Sequence, residues 1–151
     1  MRELLLMVHP ITGALAILAT VWVFVETLNA SERNRSRLLV GSIVVAVLMS
    51  ITGVLGGYWY VVYYAADKAI ILSGAWSFAH TLVMETKEHL FFVTLILSLL
   101  LPIIVRFEDP AKNRGAKTLI LMISALIVLS AFAIEGAGAF ISMAVRIGLM
   151  Q

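Results

Sequence analysis

Met84-Glu85-Thr86-Lys87-Glu88-His89-Leu90-Phe91-Phe92 sets two carboxylates, an ammonium and an imidazole at the head of an apolar run that continues to Val105. The chain is 62% hydrophobic and only 13% charged, so a cluster of this kind is costly where it sits. Ionisable groups at a membrane boundary or inside a helical bundle are rare and tend to be functional. The stretch marks a helix entering a membrane and, at its mouth, a site.

Composition supports that reading. With a mean hydropathy of +1.03, its 62% hydrophobic content lies far above the soluble norm of roughly 45–50% apolar residues. The expected class is an all-α integral membrane protein forming one domain over 1–151. No cysteine occurs, which excludes disulfides, thiolate zinc sites and iron–sulfur clusters held by this chain. A net charge of +2 gives no nucleic-acid signature. The first apolar run, 11–25, exceeds the ~7–15-residue core of a cleaved signal, and Glu26-Thr27-Leu28-Asn29 offers no small-residue cleavage pattern. It is read as a span.

Four runs approach the ~20 residues that cross hydrocarbon, at about 8–28, 38–60, 77–105 and 118–147. Loop 31–37 carries Arg33, Arg35 and Arg37, and loop 106–117 carries Arg106, Lys112, Arg114 and Lys117; loop 65–75 has only Asp67 and Lys68. The positive-inside rule makes both basic loops cytoplasmic and both termini periplasmic, in a multi-pass protein of the cytoplasmic (inner) membrane. Short loops predict an up-and-down four-helix bundle. Gly53, Gly56 and Gly57 on the second span and Gly136 and Gly138 on the fourth allow close helix approach, or room for a flat cofactor.

Counting ~1.5 Å of rise per residue from the loops brings groups from all four spans to one depth near the outer face. They are His9; Tyr58, Trp59 and Tyr60; Glu85, Glu88 and His89; and Glu135. Glu85, Glu88 and His89 fall within one arc of the third helix, while Lys87 and His80 project to the other side. Plainer readings accompany each. The tyrosines and Trp59 make an interfacial belt. Glu85, Lys87 and Glu88 form a wetted helix end, and His80 anchors a loop. Glu135 makes an ion pair with Lys87 or Arg146. His9-Pro10 starts a helix.

Three chemistries suit the set. In the first, His9 and His89, with His80 as substitute, ligate a b-type haem beside Tyr58, Trp59 and Tyr60, and the protein transfers electrons alone or as a subunit of a redox complex. In the second, His9, Glu85, Glu88, His89 and Glu135 hold a non-haem iron, manganese, zinc or copper ion for delivery, transport or oxidase assembly. In the third no metal is involved. A buried glutamate beside a histidine titrates near neutral pH, because desolvation disfavours the charged carboxylate, and the cluster serves a quinone site or a proton relay. An accessory subunit without a cofactor is the remaining class. Expected partners are the bilayer, a quinone or periplasmic redox protein, and other membrane subunits or further copies of the chain.

Four spans, basic cytoplasmic loops, His9 early in the chain and His89 at the head of the third helix together resemble the small four-helix transmembrane proteins of the cytochrome b-like kind. Some of these are haem proteins, and related small proteins are linked to assembly of haem–copper oxidases. The resemblance implies a four-helix fold with haem between histidines.

Overall fold

The computed structural model describes residues 2–150, and among them the only regular structure is helical. In chain order the elements are α1 (Arg2–Leu28), α2 (Arg35–Val62), α3 (Tyr64–Ser73), α4 (Glu85–Phe107) and α5 (Arg114–Gly148). A 3-10 turn (Glu32–Asn34) precedes α2, and a π-helical turn (Ala79–Met84) leads into α4. Four of these helices, counting each with its leading turn, are long and apolar enough to cross a membrane.

The long helices close a ring. α1 packs on α2 and α5, and α4 packs on α2 and α5, so α1 and α4 are diagonal partners. Each helix turns small and hydroxylated residues inward and large aliphatics outward. Thr20, Ser42, Thr94, Ser98 and Ser124 are fully buried, whereas Leu18, Val54, Ile96 and Leu129 are 64–72% exposed. That inversion suits a lipid-facing surface, because in lipid the association of helices rests on close packing and not on hydrophobic burial.

The helix ends follow local chemistry. Asn34 is buried and ties the first connection together: its amide donates to the Glu26 backbone carbonyl at 2.9 Å and to the Glu26 carboxylate at 2.8 Å. Its own side-chain carbonyl accepts from the Ser31 N–H at 2.8 Å. Asn113 caps α5 by accepting from the Ala116 N–H at 3.2 Å. Ion pairs link the two basic loops, Lys112 to Glu32 at 2.7 Å and Arg35 to Asp109 at 3.5 Å. The Glu32 carboxylate, bonded to Lys112, holds that ammonium above its ordinary pKa.

Three details depart from expectation. Residues 65–75, read as a loop, are mostly the helix α3, anchored by the buried Tyr64 and Ile71. A helix this short is held by tertiary packing and not by propensity. His9-Pro10 does not start a helix, since α1 begins a full two turns earlier at Arg2. The third span does not continue as one α-helix into the preceding loop; it widens into the π-helical turn, which carries His80.

Packing divides into two apolar clusters. The larger runs from the basic-loop end and includes Ala16, Val45, Met49, Leu101, Ile127 and Ala131. The smaller lies at the opposite, aromatic end around Tyr64, Ile71, Ala79, Met84, Ile141 and Ala144. Between them, in every long helix, a few residues belong to neither cluster. That layer is where the polar groups gather.

Candidate functional site: a polar layer between two apolar clusters

The layer draws on all four long helices. From α1, His9 donates from Nδ1 to the Thr52 carbonyl of α2 at 3.1 Å. A carbonyl only accepts, so this bond fixes the tautomer and leaves Nε2 without the proton in the neutral ring. Next to it the Thr52 hydroxyl donates to the Thr12 hydroxyl at 2.9 Å, and Thr12 donates to the His9 carbonyl at 2.8 Å. These bonds pin α1 against α2.

Glycines make the room. A Cβ at Gly56 would lie 2.7 Å from His9 Cε1, and one at Gly53 would lie 2.7 Å from Phe91 Cζ. On α1, a Cβ at Gly13 would fall on the Glu135 carboxylate, which reaches from α5 onto the α1 backbone. Gly57 and Gly136, by contrast, face open space. The close-approach glycines therefore seat side chains of this chain: an imidazole, a phenyl ring and a carboxylate.

Lys87 is the cation of the layer. It projects from α4 toward α5, where its Nζ lies 3.5 Å from the place a Cβ would take at Gly138, one turn from Glu135. Glu88 is half-buried, and its Oε1 is enclosed with no hydrogen-bond partner. The Tyr60 ring of α2 stacks on Tyr64 beside this layer.

From Tyr60 the titratable groups continue to the aromatic end. Its ring stacks on Tyr64 with centroids 5.2 Å apart, and the Tyr64 hydroxyl is bonded to His80 Nδ1 at 3.1 Å. Both Tyr64 and His80 are buried, at 3% and 5% exposure. Burial, and after it the neighbouring Tyr60, Glu88, Asp67 and Glu85, push the Tyr64 phenol up to about 12. π-helical turns occur often at functional sites; this one carries His80 into the interior.

The predicted site residues separate into two groups. His9, Tyr60, Glu88 and Glu135 enter the layer or border it. Glu85 and His89 point away: both are exposed and line a shallow groove on the outside of α4 with Thr86, Leu90 and Val93. The His89 Nδ1 donates to the Glu85 carbonyl of its own helix at 2.7 Å. His9 and His89 therefore face different surroundings, and His80 faces Tyr64. Among the described residues no three His, Asp or Glu side chains come together as a metal-holding group. Tyr58 is 49% exposed and packs edge-on to Tyr63; Trp59 packs on the same ring at 5.1 Å. Of the two cations weighed as partners for Glu135, Lys87 is the one that acts on it, and Arg146 is exposed.

Thr12, Gly13 and Thr52 were not foreseen as site members, and Lys87 entered only as an ion-pair partner for Glu135 and Tyr64 only as one of the aromatic belt. The signal for Lys87 was present. Lys87, Phe91, Thr94, Ser98, Leu101 and Val105 follow helical spacing and include every small hydroxylated position of α4 after Thr86. In a membrane bundle that stripe, and not the aliphatic one, faces inward. Comparison of the chain with protein-family models, with curated proteins and with solved structures found no match.

Proposed function

We propose that this chain is a proton-handling subunit of the cytoplasmic membrane. Its basic loops face the cytoplasm and its aromatic end the outer side, as the positive-inside rule directs. The observation that carries the reading is the run of titratable side chains from the half-buried Lys87, Glu135 and Glu88, past the Tyr60 ring stacked on Tyr64, to the buried Tyr64–His80 pair. A charge cluster of this kind, placed between apolar packing layers, serves no packing need that leucine would not meet better. What it does supply is a carboxyl group whose proton is exchanged against a fixed ammonium close to one membrane face.

In this reading Lys87 stabilises the deprotonated form of Glu135, and Glu88 competes for the same ammonium. A proton arriving on one carboxylate releases Lys87 to the other, so the layer passes a proton without ever carrying two uncompensated charges. His80, Tyr64 and Tyr60 provide the route to the outer face. Electron transfer, where the assembly performs it, belongs to a quinone or to a partner subunit. Infrared difference spectra against pH, recorded on the full chain in lipid nanodiscs, test the proposal. A protonated-carboxyl band that titrates and is lost in Glu135→Gln supports it; no titrating band while the bundle remains folded refutes it.

A further inference from the structure

The face of α4 that turns away from the charged layer carries a second pair of titratable groups. Glu85 and His89 stand one helical turn apart, which brings their Cβ atoms to about 5–6 Å from each other. Both are exposed, and with Thr86, Leu90 and Val93 they line an open groove of about 450 Å³. Lys87, whose ammonium would repel a cation, projects the other way, toward α5. His9 is half-buried and His80 buried, so His89 is the exposed imidazole among the three histidines. The pair lies 17 and 21 residues before Arg106 at the basic-loop end. At 1.5 Å of rise per residue it sits about 25–32 Å above that end, against ~30 Å of hydrocarbon. Glu85 and His89 are therefore at the outer edge of the bilayer, within reach of water.

The imidazole is already set for a ligand. Its Nδ1 donates to the Glu85 backbone carbonyl at 2.7 Å, which lays the ring back along the helix over the turn that bears the Glu85 side chain. In the neutral ring the proton is then on Nδ1, and Nε2 presents a bare lone pair. Metal-ligating histidines take this arrangement almost always: one ring nitrogen gives its hydrogen to a carbonyl or carboxylate, and the other binds the ion. Here the orienting carbonyl belongs to the same residue that brings the carboxylate.

We infer that Glu85 and His89 form a binding site for a divalent transition-metal ion of the zinc class, taken up from the outer side. The carboxylate supplies charge and an oxygen, and His89 Nε2 supplies a nitrogen; zinc holds such ligands at about 2.0–2.2 Å. A tetrahedral ion keeps its other two positions for water, and the groove has room for them at about 30 Å³ each. An imidazole in the set favours zinc, copper or iron over magnesium and calcium, which take oxygen ligands. Two protein ligands fall short of a closed structural site, so the ion exchanges with the medium. The site uses none of the groups of the proton-handling layer, and the two readings stand or fall separately.

Zinc chloride titrated calorimetrically into the untagged full chain in phosphatidylcholine nanodiscs tests the site. Saturation at one zinc per chain is expected, and a large excess of magnesium should not displace it. His89→Ala removes the nitrogen ligand. Glu85→Gln keeps the backbone carbonyl that orients the ring and removes only the charge. Both positions are exposed, so the fold has little at stake. Even an outer partner of a metal ligand is worth about 10–100-fold in affinity, so each variant should weaken zinc by at least about tenfold. Copper(II) in place of zinc should show, by electron paramagnetic resonance, coupling to an imidazole nitrogen that disappears in His89→Ala. Coupling that persists in that variant puts the metal on another histidine and overturns the assignment. Absence of saturable zinc binding, displacement by magnesium, or undiminished affinity in either folded variant overturns it as well.

Discussion

Removing Lys87 is the sharpest perturbation of the charged layer. The ammonium serves Glu135 and Glu88 at once, so Lys87→Met leaves two carboxylates with no cation between them. The two half-buried carboxylates then keep their charges without a neighbouring cation, at a cost of about 1–3 kcal/mol. Glu135→Gln is milder: it removes one through-space attraction and strands no charge, about 0.2–1 kcal/mol. In the double variant only the half-buried Glu88 carboxylate remains without the cation. The two effects should then fall short of their sum by more than about 0.5 kcal/mol, within the range that directly coupled residues show. Unfolding of the detergent-solubilised chain in increasing denaturing detergent, followed by circular dichroism, reads all four corners of the cycle. Additivity to within about 0.5 kcal/mol would mean that the two side chains do not interact, and the layer as described would be wrong.

Gly56→Ala and Gly13→Ala should differ in kind. The first drives a methyl against the His9 ring, which has little freedom to move, and should cost about 1–3 kcal/mol in melting experiments. The second meets only the flexible end of Glu135, so stability should change little while the carboxyl titration shifts; equal losses of stability would refute that distinction. Tyr64 should titrate near pH 12, seen as a tyrosinate absorbance step missing from Tyr64→Phe. Its folded value lies above the ordinary value of about 10, so its contribution to stability is complete below pH ~10 and is lost as pH rises towards 12. A step at the ordinary value would show that the phenol is not enclosed.

Much of this was legible in the residues. Apolar length and the basic loops locate the long helices to within a few residues, apart from the head of α1 and the turn before α4, because hydrocarbon thickness and positional charge bias act on the sequence directly. Depth was legible for the same reason: counting rise from the loops brings His9, Glu88 and Glu135 to one level. Rotation was harder. Helical angles correctly separate Lys87 and His80 from Glu85 and His89, yet which half faces inward is set by the neighbours. The weight of carboxylates suggested one side, while the hydroxyl stripe from Thr94 to Ser98 marks the other. α3 escaped notice because its stability resides in Tyr64 and Ile71 packing beneath it and not in its ten residues. The glycines were noticed, but their purpose depends on which side chain a neighbouring helix presents.

The central claim is that protons reach the half-buried carboxylates from the aromatic end through Tyr64. The most direct measurement is a light-triggered pH jump applied to the full chain in nanodiscs, with the carboxyl band followed in time for the wild type and for Tyr64→Phe. Phenylalanine keeps the ring that stacks on Tyr60 and removes only the hydroxyl bonded to His80. The account predicts the same final protonation in both, reached several-fold more slowly in the variant. Identical rates would contradict it.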